Sequence, residues 1–136
     1  MDAARRRDLY WLHPGIAVLG RLLFTLIFVL SGITHFTDAA GYVALMHPAI
    51  PAREFWVAMS GVVELAGAAM IAADFHPRLG GWLLVLFLVP VTITVHGYEM
   101  VTTPDERMRA IQISFFLKGL AMTGAALLVT QLGVRR

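Results

Sequence analysis

Four long apolar stretches, parted by short polar connectors, set the pattern of this chain. They run from about Gly15 to Phe36, Phe55 to Ala73, Leu79 to Gly97, and Met108 to Leu132. Each is close to the ~20 residues that carry an α-helix across a hydrocarbon core. Membrane-spanning strands need only ~9–11 residues and alternate polar with apolar, which these stretches do not. The connectors hold the helix breakers. Asp38, Gly41, Pro48 and Pro51 lie between the first two runs, and Asp74-Phe-His-Pro-Arg78 reads as a tight turn. Pro104 and most of the local charge fall between Tyr98 and Arg107. The pattern predicts an all-α bundle of four transmembrane helices, a single membrane domain over residues 1–136.

The first run follows Arg5-Arg6-Arg7, as a secretory signal would. It is too long for a signal core, Arg21 interrupts it, and no convincing small-x-small cleavage site follows. It is therefore expected to stay as the first helix.

Composition sharpens the class. Hydrophobic residues make up 58% of the chain and charged residues only 15%, against about 25% charged in an ordinary soluble domain. A net charge of +2 leaves no basic field of the kind that binds nucleic acid. The absence of cysteine removes thiol–disulfide chemistry and thiolate ligation of iron–sulfur clusters from the chain itself. The seven methionines are scattered, which suits gap-filling rather than a copper relay.

Charge also gives an orientation. Arg5, Arg6, Arg7, Arg78, Arg135 and Arg136 fall on one side, and Arg53, Arg107 and Arg109 on the other. Positive residues favour the cytoplasm, so both termini are expected there, in a bacterial-type inner membrane. Tyr10 and Trp11 would mark the inner interface. Phe55, Trp56 and Tyr98 would mark the outer one.

Three charges lie inside the runs: Arg21, Glu64 and Lys118. Intramembrane ionisable groups are costly and generally have a partner or a task. Glu64 is at the middle of the second run and Lys118 near the middle of the fourth. Arg21 is roughly 7 Å nearer the cytoplasm at ~1.5 Å per residue. Side chains lean toward their own helix N-terminus, so Glu64 and Lys118 lean outward and Arg21 inward. Glu64 and Lys118 are expected to pair, either as a structural tie or as a ligand and proton site. Arg21 either snorkels to the inner headgroups or reaches Glu64.

Histidines add a second layer. His35 ends the first run and His96 the third, and both lean back into the bundle. Thr92, His96 and Glu99 share one helical face. Pro90 should kink the third helix and free the carbonyl of Leu86. One polar residue from each helix could thus converge in the outer half, with roughly 12 Å of rise between Glu64 and His96. His96-Gly-Tyr-Glu99 has a ligand-like spacing, so His35, His96 and Glu99 are candidate metal or haem ligands. Ser60, Gly61, Gly67 and Ala68 around Glu64, with Gly119, Gly124 and Ala125 in the fourth run, are small enough for close helix packing.

Gly20-Arg-Leu-Leu-Phe-Thr-Leu-Ile-Phe-Val-Leu-Ser-Gly-Ile-Thr-His-Phe36 resembles the first helix of the DoxX family of small four-helix membrane proteins. Gly61-Val-Val-Glu-Leu-Ala-Gly67 resembles the family's second-helix pattern, and His96 and Lys118-Gly-Leu-Ala match later positions. Together the likeness covers about residues 15 to 132. The family often has lysine where His35 stands, and Gly-Gly where Gly67-Ala68 stands. The resemblance implies a polar set of Arg21, Glu64, His96 and Lys118. It also implies a link to membrane redox systems, including thiosulfate–quinone oxidoreductase subunits and oxidative-stress complexes.

A quinone needs an apolar slot for its tail and hydrogen-bonding or proton-donating groups for its head. The expected function is therefore a quinone-linked membrane protein working with a larger oxidoreductase. Glu64, Lys118 and His96 would be its catalytic candidates. Arg21, His35 and Glu99 would join them in binding. The alternatives are a non-catalytic assembly subunit and a metal- or haem-binding protein.

Overall fold

The computed structural model describes residues 13–131. The arginines at positions 5–7 and 135–136, Tyr10, Trp11 and the end of the fourth run at Leu132 lie outside them. The described residues are helical, with no strand among them. Five helices occur in order. They are α1 Pro14–Thr37, the short α2 Ala39–Leu45, α3 Arg53–Ala72, α4 Pro77–Thr102 and α5 Glu106–Thr130. All but α2 are long and apolar enough to cross a membrane.

Local chemistry sets these limits. Pro14 opens α1 and Pro77 opens α4, where a missing N–H costs nothing. Asp38 closes α1 by donating its N–H to Thr34, and its side chain accepts from Gly41 N–H to start α2. The connector between the first two runs thus holds a helix that hydrophobic periodicity does not announce. Asp74 and His76 take positive φ values of 57° and 50° to reverse the chain between α3 and α4. Asp105 caps α5, accepting from Met108 N–H at 2.7 Å.

The third run extends past Gly97 because α4 does not end at Pro90. Pro90 has no N–H to give Leu86, and the backbone passes into a π-helical segment, Thr92–Gly97. Thr94 Oγ1 donates back to the Pro90 carbonyl at 2.8 Å. The helix then resumes through Tyr98–Thr102.

Packing follows the chain. α1 lies on α3, α3 on α4, and α4 on α5, while α2 rests mainly on α3. Among the described residues α5 makes no extended contact with α1 or α3. Phe28, Ala68, Ile71, Leu84, Leu88 and Ala126 form the core, flanked by Phe24, Phe87, Met122 and Val129. The outward faces are Leu, Ile, Val and Phe, as a lipid-facing surface requires.

Without a hydrophobic drive between helices in lipid, close backbone approach does the work. A Cβ on Gly80 would fall 2.7 Å from the Gly67 carbonyl oxygen, and one on Gly81 would fall 3.0 Å from that of Ala126. A Cβ on Gly119 would collide with the Thr92 hydroxyl. Gly124, expected to pack, instead faces open space.

These seams give a direct test. Gly80→Ala should destabilise the protein by about 1–3 kcal/mol through overpacking. Gly124→Ala should be neutral or stabilising by up to ~1 kcal/mol. Thermal loss of monomer in detergent measures both, and equal effects would contradict the packing described.

Candidate functional site

A cluster of polar groups lies on the seam between α1 and α3. Ser31 and His35 are one helical turn apart on α1 and face Glu64 of α3. Glu64 is 1% exposed and His35 4%. The Ser31 hydroxyl donates to Glu64 Oε2 at 3.2 Å. His35 Nδ1 lies 2.9 Å from the Ser31 carbonyl and 3.4 Å from Glu64 Oε2. A carbonyl can only accept, so Nδ1 carries the proton and donates it to Ser31, with Glu64 Oε2 close beside it. Gly61 makes the approach possible, since a Cβ there would fall 2.8 Å from His35 Cβ.

Aromatic rings close on the imidazole. The ring of Tyr42, from α2, lies 3.9 Å from that of His35 at 31°. Phe87 of α4 meets it edge-on at 5.8 Å. Thr34 Oγ1 donates to the Ser31 carbonyl at 2.8 Å, so the 2.7 Å contact between Thr34 Oγ1 and Tyr42 is a bond that the phenol donates. A carboxylate, an imidazole and a hydroxyl thus meet in an apolar seam, with the Tyr42 phenol and the exposed Thr34 hydroxyl at its edge.

The other candidates lie elsewhere. Arg21 does not reach Glu64. It pairs with Asp74 at 2.7 Å, across the turn between α3 and α4. Its inward lean was legible, but the partner comes from a connector rather than from lipid headgroups. Arg21 Nε is buried without a hydrogen bond.

The expected Glu64–Lys118 pair does not form. Lys118 is exposed, and among the described residues no carboxylate lies within ion-pair distance of it. Its Nζ lies 5.4 Å over the ring of Phe115 on its own helix. The cause is rotational. Gly119 takes the seam against α4, which swings its neighbour Lys118 about 100° away.

His96 faces α5, with Nδ1 3.0 Å from Gln112 Oε1 and its ring 5.3 Å from Phe115. It therefore does not converge with His35. Glu99 Oε2 accepts from Thr103 Oγ1 at 3.0 Å. Glu99 also lines a shallow depression of about 140 Å³ with His47, Arg53 and Tyr98. Among the described residues no three His, Asp or Glu side chains come together to hold a metal, so the set His35, His96 and Glu99 is divided.

Sequence reasoning missed Ser31, Tyr42, Asp74 and Gln112 as partners. Ser31 could have been found from its one-turn spacing to His35, and Gln112 as an amide within an apolar run. Tyr42 gives no such signal, because its position depends on α2.

Four apolar spans with a polar seam between the first two define an integral, multi-pass helical membrane protein. The DoxX family model matches residues 16–97, and the chain belongs to the DoxX family. That match takes in the whole Ser31, His35, Tyr42 and Glu64 cluster, and it ends before Lys118. No curated protein and no solved structure matches the chain.

The geometry predicts how the two mid-span charges behave together. Glu64→Leu should cost about 1–3 kcal/mol by orphaning the Ser31 hydroxyl. Lys118→Met should cost no more than about 0.5 kcal/mol. The double variant should equal the sum within about 0.5 kcal/mol. Recovery of stability in the double variant, read by thermal unfolding in detergent, would restore the direct pair.

Proposed function

We propose that this protein binds the headgroup of a quinone or quinone-like lipid at the Ser31, His35, Tyr42 and Glu64 cluster, as a subunit of a larger membrane oxidoreductase. The observation that carries this is Glu64, a carboxylate 1% exposed inside an apolar span and held by a hydroxyl and an imidazole. Reducing a quinone takes two electrons and two protons, the protons ending on its two oxygens. Glu64 and His35 would carry these protons. The face of His35 against which Tyr42 lies is ring-sized, so a planar headgroup would stack there in its place. The surrounding apolar seam suits an isoprenoid tail. Electrons would come from the partner subunit. Arg21, His96 and Lys118 then support the bundle or its contacts rather than the headgroup.

A second reading, a non-catalytic assembly subunit, is favoured by one observation: Lys118 is exposed at mid-span with no counter-charge among the described residues.

Binding of a short-chain benzoquinone with a decyl tail to the protein in nanodiscs tests the first reading. Tryptophan quenching should saturate. His35→Ala and Glu64→Gln should each weaken binding by about tenfold, the worth of one charge-assisted hydrogen bond, while Gly124→Ala leaves it unchanged. Non-saturating partition into lipid, identical for all variants, would sink the quinone site.

A further inference from the structure

Of the three charges inside the spans, Lys118 is the one with no counter-charge among the described residues. Arg21 has Asp74, and Glu64 has Ser31 and His35. Lys118 lies at the centre of Glu106–Thr130, which has 25 residues. It is therefore about 18 Å from either end of the helix at 1.5 Å per residue. The cation lies over Phe115, one turn toward the Glu106 end. A lysine stem reaches only about 6 Å, which leaves the ammonium short of the headgroups. A charge held there is expensive and normally faces a partner.

Among its described residues, a second copy of this chain offers no such partner. Asp38, Glu54, Asp74, Glu99, Asp105 and Glu106 all stand at helix ends or in connectors. Glu64, at mid-span, is 1% exposed and turned into the α1–α3 seam. Among the described residues no carboxylate is presented to lipid at the depth of Lys118.

The surrounding surface suits a helix. Ser114, Lys118, Ala121 and Leu128 recur at four-, three- and seven-residue spacing and are exposed. They lie on the side of α5 away from the Gly119 and Ala126 seam with α4. Ser114 and Ala121 would let a second backbone come close on either side of the cation.

We infer that this face of α5 docks a transmembrane helix of a different protein, one with an aspartate or glutamate near mid-span. The Lys118 ammonium would meet that carboxylate while the small residues pack beneath it. The inference rests on the subunit reading given above, and it specifies the partner's chemistry.

The test uses the full chain in vesicles of zwitterionic phosphatidylcholine, so that no anionic headgroup competes. The probes are leucine-rich transmembrane peptides with aspartate, lysine or leucine at mid-span, and energy transfer reports association. The aspartate peptide should bind about tenfold more tightly than the leucine peptide, the scale of an interhelical polar contact in lipid. Lys118→Met should abolish the difference, Lys118→Arg should keep it, and Lys118→Glu should move the preference to the lysine peptide. Equal binding of all peptides, no effect of Lys118→Met, or self-association of the full chain that Lys118→Met abolishes would overturn the inference. The subunit reading stands or falls separately, on the size of the native complex by native electrophoresis. A large complex indifferent to Lys118 would reject only this docking face.

Discussion

A carboxylate buried in a bilayer must be held, and holding Glu64 organises much of this molecule. Glu64 sits at the middle of α3, and its supports come from α1. For Ser31 and His35 to reach it, the two helices must approach closely. Gly61 and Gly32 provide that approach, since a side chain at either would run into His35 or Leu65 of the facing helix. The seam between α1 and α3 is therefore both a buried polar contact and a tight backbone contact. The short α2 owes its place to the same region. Asp38 ends one helix and starts the next, so that Tyr42 comes back over the His35 ring.

The remaining seams solve a different problem. α3 meets α4 through Gly67 and Gly80, and α4 meets α5 through Gly81 and Gly119. These contacts are apolar, apart from the Thr92 hydroxyl against Gly119, the His96–Gln112 bond and the bond that Arg78 donates to the Thr130 carbonyl. The π-helical segment after Pro90 brings His96 to Gln112, so α4 and α5 share a polar tie of their own. The bundle thus has two polar layers, one on each side of α4, where convergence had suggested one. The resemblance of residues 16–97 to the DoxX family covers the first layer, which is where the proposed ligand chemistry lies.

Depth was legible in the sequence, and direction around each helix was not. Counting residues placed Glu64 and Lys118 at similar depth, and both are near mid-span. Whether they meet depends on which face of α5 packs against α4, and that choice was made by Gly119 rather than by Lys118. Arg21 shows the same division. Its lean toward one membrane face follows from Cα–Cβ geometry, but Asp74 lies in a connector whose positive φ values no periodicity reveals. Tyr42 was hidden for a related reason, in a connector rich in breakers whose Asp38 cap nonetheless starts a helix. The four spans, Glu64 itself and the close-packing glycines around it were readable because bilayer thickness and side-chain size allow few alternatives.

The central claim is that Glu64 is held by His35 and Ser31 of α1. Carbon–nitrogen dipolar recoupling by solid-state NMR tests it most directly, on protein in bilayers with the Glu64 carboxylate carbon, the His35 ring nitrogens and the Lys118 Nζ labelled. A strong coupling from Nδ1, matching its 3.4 Å contact with Glu64 Oε2, is the result expected. A carboxylate carbon that couples to Lys118 Nζ, or to neither nitrogen of His35, would contradict the account.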